Sequence, residues 1–368
     1  MPNPSYQIPP LPLEIDVESK AVLKSVAAAY RALSDLRRQA AKVPNQGILI
    51  DTLALQEAQA SSEIENIVTT QDEVFRIGPT TNSRLDPRQK EVSNYRDSLW
   101  VGHRALLDTD GLITNNSLIA MFQSLKKNTG GFRRTPGTTL TNEFTKDIVY
   151  VPPQTPDEIG VHMANLEGFI NNPELCDWDP LVKMAVVHHQ FESIHPFPDG
   201  NGRVGRILNV LYLVQQGLLD TPILYLSRFV TQTKPDYYRL LQEVRDNGVW
   251  EEWILYILRG VEATALETTI LLSGINDLLY EYKIRMRENH SRIYSHELLN
   301  TLFRHPYTRI EYVVRETGVG RQAASRHLDE LGEANFVEKT KIGRDNYYIN
   351  VRLVELFLDR PSMATETK

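Results

Sequence analysis

One run of twelve residues constrains this chain more than any other, and it reads HPFPDGNGRVGR over residues 195–206. Largely apolar segments flank it at residues 181–191 and 204–214, and both predict buried helices. The run therefore predicts a loop that leads into a helix N-terminus. Unpaired backbone N–H groups and the helix dipole attract anions at such a position.

The residue types in this loop suit a nucleoside triphosphate and a nucleophile that has to lose a proton. Its glycines allow the backbone to approach phosphate oxygens. Arg203 and Arg206 are three residues apart on one side of the first turn, and guanidinium groups bind phosphate well. Asp199 is a hard oxygen ligand for Mg²⁺, and His195 titrates near neutral pH, as a general base requires.

Three other interpretations of this region fail. The loop contains G-x-G-x-x-G, with Asp220 at the distance that a dinucleotide fold would use, but that motif needs a preceding strand and a βαβ unit. The chain contains no Gly-Lys dipeptide and therefore no Walker A motif. His188 and His189 point to different faces of one helix, so they cannot both bind the same metal ion from it.

Composition is that of a globular protein with two or three domains: 368 residues, 41% hydrophobic and 24% charged. The net charge of −7 argues against a chain that coats nucleic acid. A single cysteine, Cys176, fits a reducing compartment. We find no signal-peptide pattern and no apolar run of membrane-spanning length, so we expect a cytoplasmic protein without membrane contacts.

The chain divides into segments that differ in composition and in predicted secondary structure. Residues 131–153 are rich in Thr, Gly, Val and Tyr and predict a β-hairpin, which on sequence alone could be a surface feature without function. Residues 308–350 predict two short helices and a strand pair, typical of a winged helix-turn-helix. The predicted domains are a helical region (1–110), a central core (111–262), a connecting helix (263–287), the winged unit (288–358) and a tail (359–368).

The complete match to H-x-F-x-D-G-N-G-R-x-x-R resembles the signature of the Fic family, whose members mostly transfer AMP from ATP to protein hydroxyls. The resemblance covers residues 50–260. It implies a mainly α fold, a Fic-type helical bundle with a small β-hairpin flap, plus the C-terminal winged helix-turn-helix. It also implies a nucleotidyltransferase that uses ATP and Mg²⁺.

The resemblance assigns roles within the loop. His195 would be the general base for a Ser, Thr or Tyr hydroxyl, and Asp199 would bind Mg²⁺. Arg203 would serve the β-phosphate, Arg206 the γ-phosphate and Asn201 the α-phosphate. Tyr237 would face the nucleotide while Tyr238 lies in the core. The full nucleotide-binding set is Gly200, Asn201, Gly202, Arg203, Val204, Gly205, Arg206, Asn209 and Tyr237.

The resemblance also implies a function for two further segments. Ser61-x-x-x-Glu65-Asn66 is similar to the family's inhibitory motif, S/T-x-x-x-E-G/N, in which the glutamate pairs with the second arginine, here Arg206. Taken alone, Ser62-x-x-Glu65 predicts a capping box that opens a helix. The hairpin is similar to the family's flap, which docks the target by strand pairing and would place Ile148 and Tyr150 at or near the docking strand.

Several alternatives stay open at the level of sequence. Glu65 could orient a water molecule, so that the same site removes AMP from a modified protein. The chain could instead be a DNA-binding regulator with a nucleotide-sensing site, reading the major groove through the second helix of the winged unit (Arg321, Gln322, Ser325 and Arg326). Residues 291–350 carry a net charge of only about +1, which disfavours DNA and leaves a protein partner open. Self-modification and a homodimer are also left open.

Overall fold

The computed structural model describes residues 6–77, 85–141 and 145–358. In these residues helices dominate, which confirms the predicted mainly α fold. The helices are α1 (Lys20–Ala40), α2 (Gln46–Ile64), α3 (Gln71–Phe75), α4 (Pro87–Asp108), α5 (Asn115–Lys126), α6 (Pro156–Asn171), α7 (Pro180–Ile194), α8 (Asn201–Gln215), α9 (Leu226–Gln232), α10 (Lys234–Asn247), α11 (Trp250–Asn289), α12 (His296–Arg304), α13 (Ile310–Thr317), α14 (Arg321–Glu333) and α15 (Val351–Leu358). The strands are β1 (Leu140–Thr141), β2 (Ile148–Tyr150), β3 (Tyr307–Thr308), β4 (Glu338–Ile342) and β5 (Asp345–Ile349).

The two helices at the centre of the fold are α7 and α8, as the apolar segments beside the loop predict. Every residue of α7 after Pro180 is buried, its polar side chains included, because other parts of the fold cover this helix on all sides. Pro180 starts it, and the Asp179 side chain accepts a hydrogen bond from the Leu181 N–H at 2.8 Å. The loop between α7 and α8 is therefore held at both ends by core helices.

A single long helix, α11, connects the centre to the C-terminal unit. At 40 residues it is about 60 Å long, and α1 packs along it. The predicted connecting helix, residues 263–287, lies wholly inside α11. The predicted boundary at residues 262–263 therefore falls within one continuous helix. None of the helices in the described ranges combines the length and apolar composition that a membrane crossing needs.

The predicted hairpin forms a small antiparallel pair in which Leu140 lies opposite Tyr150. Only residues 140–141 and 148–150 are paired as strands, fewer than predicted, and residues 142–144 lie outside the described residues.

The C-terminal unit contains α12 to α15 and an antiparallel sheet in the order β3-β5-β4. This arrangement is consistent with the predicted winged helix-turn-helix, although β3 was not expected from the sequence. The unit contacts the N-terminal region directly. Arg304 forms an ion pair with Asp51 of α2, and the Tyr307 hydroxyl donates to Asp72 of α3 at 2.6 Å. The predicted tail lies outside the described residues.

Candidate active site

The loop between α7 and α8 has a fixed backbone with two residues in the left-handed region. His195 ends α7 at φ 49° and ψ 56°, and its N–H donates to the Phe191 carbonyl at 3.0 Å. Gly200 precedes α8 at φ 78°. A histidine in this conformation is uncommon and must be imposed by its surroundings, which is frequent at functional sites.

Phe197 anchors the loop in the core. Its ring stacks on Phe122 with the centroids 4.4 Å apart, and Phe132 packs beside it at 5.4 Å. The Arg133 side chain binds the loop at its His195 end, where its Nε donates to the His195 carbonyl at 2.8 Å. The loop shape is therefore established before any ligand binds.

The Asn201 side chain has a structural role, and the predicted contact of this residue with the α-phosphate stays a prediction. Its Oδ1 accepts from the Phe197 N–H and its Nδ2 donates to the Phe197 carbonyl, both at 2.8 Å, and the side chain is buried. Both amide atoms are thus occupied by the loop. What Asn201 can offer an anion is its backbone N–H at the start of α8.

We expect Asn201→Ala to lower the free energy of unfolding by roughly 1–3 kcal/mol, because it leaves the buried Phe197 N–H without its acceptor. Urea denaturation measures the change. Asn247→Ala is the control, since Asn247 is exposed at the end of α10 and its loss should stay within about 0.5 kcal/mol. Equal effects of the two substitutions would contradict the assigned role.

Glycines in the first turn of α8 make different contacts. A Cβ on Gly202 would lie 2.5 Å from Glu65 Oε1 and 2.9 Å from Arg206 Nη1, so only glycine leaves room for that pair. A Cβ on Gly205 would lie 2.7 Å from Glu192 Oε1 in α7. Gly205 therefore serves close helix packing, and Val204 is fully buried in the core. The predicted nucleotide contacts of Val204 and Gly205 stay predictions, and the Val204 side chain lies in the core.

Arg206 is held by the end of α2. Its Nε donates to Ser61 Oγ at 2.8 Å, and its Nη2 donates to the Ser61 carbonyl and to Glu65 Oε1, both at 2.9 Å. Arg206 is only 1% exposed, whereas the Glu65 side chain is 35% exposed. Burial opposes the charge of Arg206, but the acidic groups around it, Glu65 foremost, together outweigh burial and raise the pKa of Arg206.

Residues 61–66, which are similar to the family's inhibitory motif, close a helix and do not open one, so the capping-box interpretation is wrong. α2 ends at Ile64, Glu65 follows as its C-cap, and Asn66 adopts φ 62°. This left-handed position favours glycine or asparagine, which gives a physical reason for the last residue of the motif. Two turns earlier, Glu57 fixes α2 by accepting from the Tyr95 hydroxyl at 3.0 Å and the Ser227 N–H at 3.1 Å.

The other arginine, Arg203, is also paired with a glutamate. Its Nη1 donates to Glu91 of α4, and its Nη2 lies 3.8 Å from Asp199 Oδ1. Lys126, the last residue of α5, donates to Asp199 Oδ2 at 2.7 Å. Sequence reasoning missed Glu91 and Lys126, because neither belongs to a motif and both reach the loop only through the packing of α4 and α5.

Asp199 fits a role in holding Mg²⁺. Its side chain is 64% exposed, and although partial burial opposes ionisation, Lys126 and Arg203 keep the pKa of Asp199 below its usual value. Among the described residues, no cluster of three or more His, Cys, Asp or Glu side chains could hold a metal ion by itself. A single carboxylate supplemented by substrate phosphates and water is a common way for proteins to bind Mg²⁺.

His195 is poised as a neutral imidazole. Burial, followed by the positive charges of Arg245 and Arg133, lowers the pKa of His195 to about 4. Its Nδ1 has no hydrogen-bond partner among the residues that the structure describes. At neutral pH the ring is therefore unprotonated and able to accept a proton.

The residues predicted for the adenosine side are placed differently from expectation. Tyr237 is buried, and its hydroxyl lies 2.9 Å from His188 Nε2, whereas Tyr238 is 44% exposed. The prediction that Tyr238 lies in the core is therefore wrong, and the contact of Tyr237 with the nucleotide stays a prediction. Asn209 is buried one turn beyond Arg206, and neither of its amide atoms has a hydrogen-bond partner within the described ranges. Its contact with the nucleoside stays a prediction.

The flap residues also differ from each other. Ile148 is 49% exposed, as a docking residue would be. Tyr150 is fully buried, and its hydroxyl donates to the Ser193 carbonyl of α7 at 2.9 Å. Tyr150 therefore fastens the flap to the core, and its side chain does not face a docking partner.

Together these features give a loop whose chemistry suits an anion and which carries a neutral base, a carboxylate and two arginines at one helix N-terminus. Three family models match the chain: the Fic/DOC family N-terminal model at residues 23–104, the Fic/DOC family model at residues 108–213, and the C-terminal domain of SoFic-like protein adenylyltransferases at residues 278–353. The chain belongs to the Fic/DOC family.

Relatives and solved structures agree with this membership. A probable protein adenylyltransferase of Aquifex aeolicus is 25% identical over 255 residues, which span 67% of this chain and 72% of that protein. The protein adenylyltransferase Fic of Aedes aegypti is 30% identical over 33% of this chain, but only 24% of its own length is matched. A Fic family protein from Desulfovibrio desulfuricans has a similar fold, with a TM-score of 0.56 at 19% identity, covering 91% of this chain and 97% of that chain.

Proposed function

We propose that this protein is a protein adenylyltransferase that transfers AMP from ATP to a Ser, Thr or Tyr hydroxyl and is held inactive by Glu65. The observation that carries the proposal is the contact of Arg206 with Ser61 and Glu65 at a helix N-terminus built for anions. A buried arginine that binds a carboxylate there can bind a phosphate group in its place. The names of the relatives give the same activity.

The reaction would be an in-line attack of the target hydroxyl on the α-phosphorus of ATP. A new O–P bond forms, the bond between the α-phosphorus and the bridging oxygen breaks, and pyrophosphate leaves. His195 takes the hydroxyl proton, which its lowered pKa allows at neutral pH. The N–H groups at the start of α8 and the two arginines stabilise the phosphate charge. Mg²⁺, held by Asp199 when bound, would neutralise part of that charge.

The flap supports docking of an extended target segment. Strands β1 and β2 are short, and an additional strand could pair with the flap edge through its backbone. Ile148, with its exposed side chain, is the residue of the flap that we expect to contact the target. Contacts of the C-terminal unit with DNA or protein stay a prediction.

The test uses ATP labelled on either the α- or the γ-phosphate and the variant Glu65→Gly, in which Arg206 has lost its pairing with the Glu65 carboxylate. Adenylyl transfer should leave the α-label on protein, either the variant itself or a target in a cell lysate, and release the γ-label as pyrophosphate. Retention of the γ-label would instead indicate phosphoryl transfer. If neither label is retained, AMP removal or nucleotide sensing becomes the better interpretation of the site.

A further inference from the structure

The surroundings of Arg203 are as closed as those of Arg206, although no inhibitory motif reaches it. Its guanidinium group is buried between Glu91 and Asp199, and its Nε has no hydrogen-bond partner in the described part of the chain. Glu91 lies on α4 and Glu65 follows α2, so the two arginines of α8 are bound by carboxylates from two different elements. Neither arginine is free to receive a phosphate.

Lys126 completes this arrangement. Its Nζ lies 2.7 Å from Asp199 Oδ2 and 3.8 Å from Glu91 Oε1. We call Glu91, Lys126, Asp199 and Arg203 the four-charge cluster. Two negative and two positive charges lie within ion-pair distance of one another, so the cluster is balanced without any ligand. A phosphate group at Arg203 and a divalent cation at Asp199 must each replace a partner that the protein itself supplies.

We propose that Glu91 is a second restraint on the phosphate site, acting on Arg203 independently of Glu65, and that Lys126 is the cation that a divalent metal ion replaces at Asp199. The proposal rests on the nucleotide-binding function proposed above. Its physical basis is competition, because a carboxylate bound to Arg203 opposes an incoming phosphate through its charge as well as its position.

The two replacements support each other. When a divalent ion occupies Asp199, Lys126 loses its partner there, and Glu91 is the carboxylate already nearest to it. A pair between Lys126 and Glu91 would then leave Arg203 free for phosphate, with no buried charge left unpaired. The metal ion and the triphosphate should therefore bind with positive coupling, and the coupling should depend on Lys126.

The first experiment measures ATP binding by calorimetry, with and without Mg²⁺, for the wild type, Glu91→Gln, Glu91→Asp, Glu65→Gln and the double variant Glu65→Gln/Glu91→Gln. We expect Glu91→Gln to bind ATP about tenfold more tightly than the wild type. Glu91→Asp, which keeps the charge, should remain within about threefold. Because the two glutamates act on different arginines, the gain in the double variant should be the product of the single gains.

The second experiment measures the binding of Mn²⁺ alone by electron paramagnetic resonance. Lys126→Gln should bind it about tenfold more tightly, because the competing ammonium group is gone, while the coupling between metal ion and ATP weakens. Lys127→Gln and Asp108→Asn are the matched controls, since Lys127 pairs with Asp97 and Asp108 is exposed at the end of α4. Thermal melts without ligand establish that each variant is folded.

The outcomes separate the two proposals. Unchanged ATP binding by Glu91→Gln would overturn the inference, because Glu91 would then not compete with phosphate. Weaker ATP binding would overturn it too, because Glu91 would then hold Arg203 in its binding position. Weaker or unchanged Mn²⁺ binding by Lys126→Gln would overturn the metal-exchange part. If neither the wild type nor the Glu65 variant binds ATP at all, the proposed function itself fails.

Discussion

Replacing Glu65 with glycine is expected to increase AMP transfer about a hundredfold. Restoring one preorganised charged group to a phosphate site is worth about 10²–10³ in rate, and the substitution frees Arg206 for the triphosphate. Arg206 keeps its two contacts with Ser61, so its side chain remains near the loop. The measurement is α-label retained on protein per unit time, for the variant against the wild type.

The same substitution should change stability in two opposite ways. Without ligand it leaves a buried guanidinium with one partner fewer, which costs about 1–3 kcal/mol, less than for a fully buried pair because Glu65 is partly exposed. With Mg²⁺ and ATP, the phosphate replaces the lost carboxylate, and the rise in melting temperature should exceed that of the wild type.

Glu63→Gly is the matched control, since Glu63 lies two residues earlier on α2 and its side chain is exposed. It should affect neither the transfer rate nor the ATP-induced rise. Equal ATP-induced rises for the wild type and Glu65→Gly would contradict autoinhibition through Arg206. A further incubation of labelled protein with unlabelled wild type reveals AMP removal, because label would then be lost.

Local patterns in the sequence predicted much of the site. The apolar segments beside the loop predicted α7 and α8, and both Arg203 and Arg206 lie within the first two turns of α8, close to the predicted position. The similarity of Ser61-x-x-x-Glu65 to a known motif predicted the contact with Arg206, across 141 residues of chain. Periodicity alone could not have found it, since the same letters also fit a capping box.

The rest of the site could not be predicted, because packing in three dimensions decides the role of a side chain. Asn201 belongs to the motif, but its amide is bound by the backbone of Phe197, four residues away. Tyr237 and Tyr238 are adjacent, and only the orientation of α10 determines which of them is buried. Glu91 and Lys126 come from helices whose approach to the loop no local pattern encodes.

His195 should remain unprotonated, and so able to act as the general base, over most of the pH range in which the protein can be assayed. The pKa of His195 is lowered to about 4, so the imidazole is unprotonated at pH 5 and above and becomes protonated only as the pH falls through about 4. For Glu65→Gly we therefore expect kcat/KM to show no loss attributable to His195 between pH 8 and about 5. A bound triphosphate adds negative charge and should raise this pKa, so the acid limb of kcat should lie at higher pH than that of kcat/KM.

His195→Ala in the Glu65→Gly background is expected to reduce AMP transfer by about 10³-fold while ATP affinity stays within about threefold, because the imidazole takes a proton and does not bind phosphate. Label retention measures the first quantity and calorimetry with Mg²⁺-ATP the second. His162→Ala serves as the control, since His162 belongs to α6 and not to the loop between α7 and α8, and it should change neither. Retained transfer in His195→Ala would contradict the general-base role of His195.

A parallel loss of ATP affinity would mean that the left-handed turn at His195 shapes the anion site itself. Alanine would then be the wrong substitution for separating the chemical role of His195 from its structural role. His195→Asn decides between these outcomes, because asparagine tolerates the left-handed conformation but is not a base: it should restore ATP binding and leave transfer at the low level of alanine.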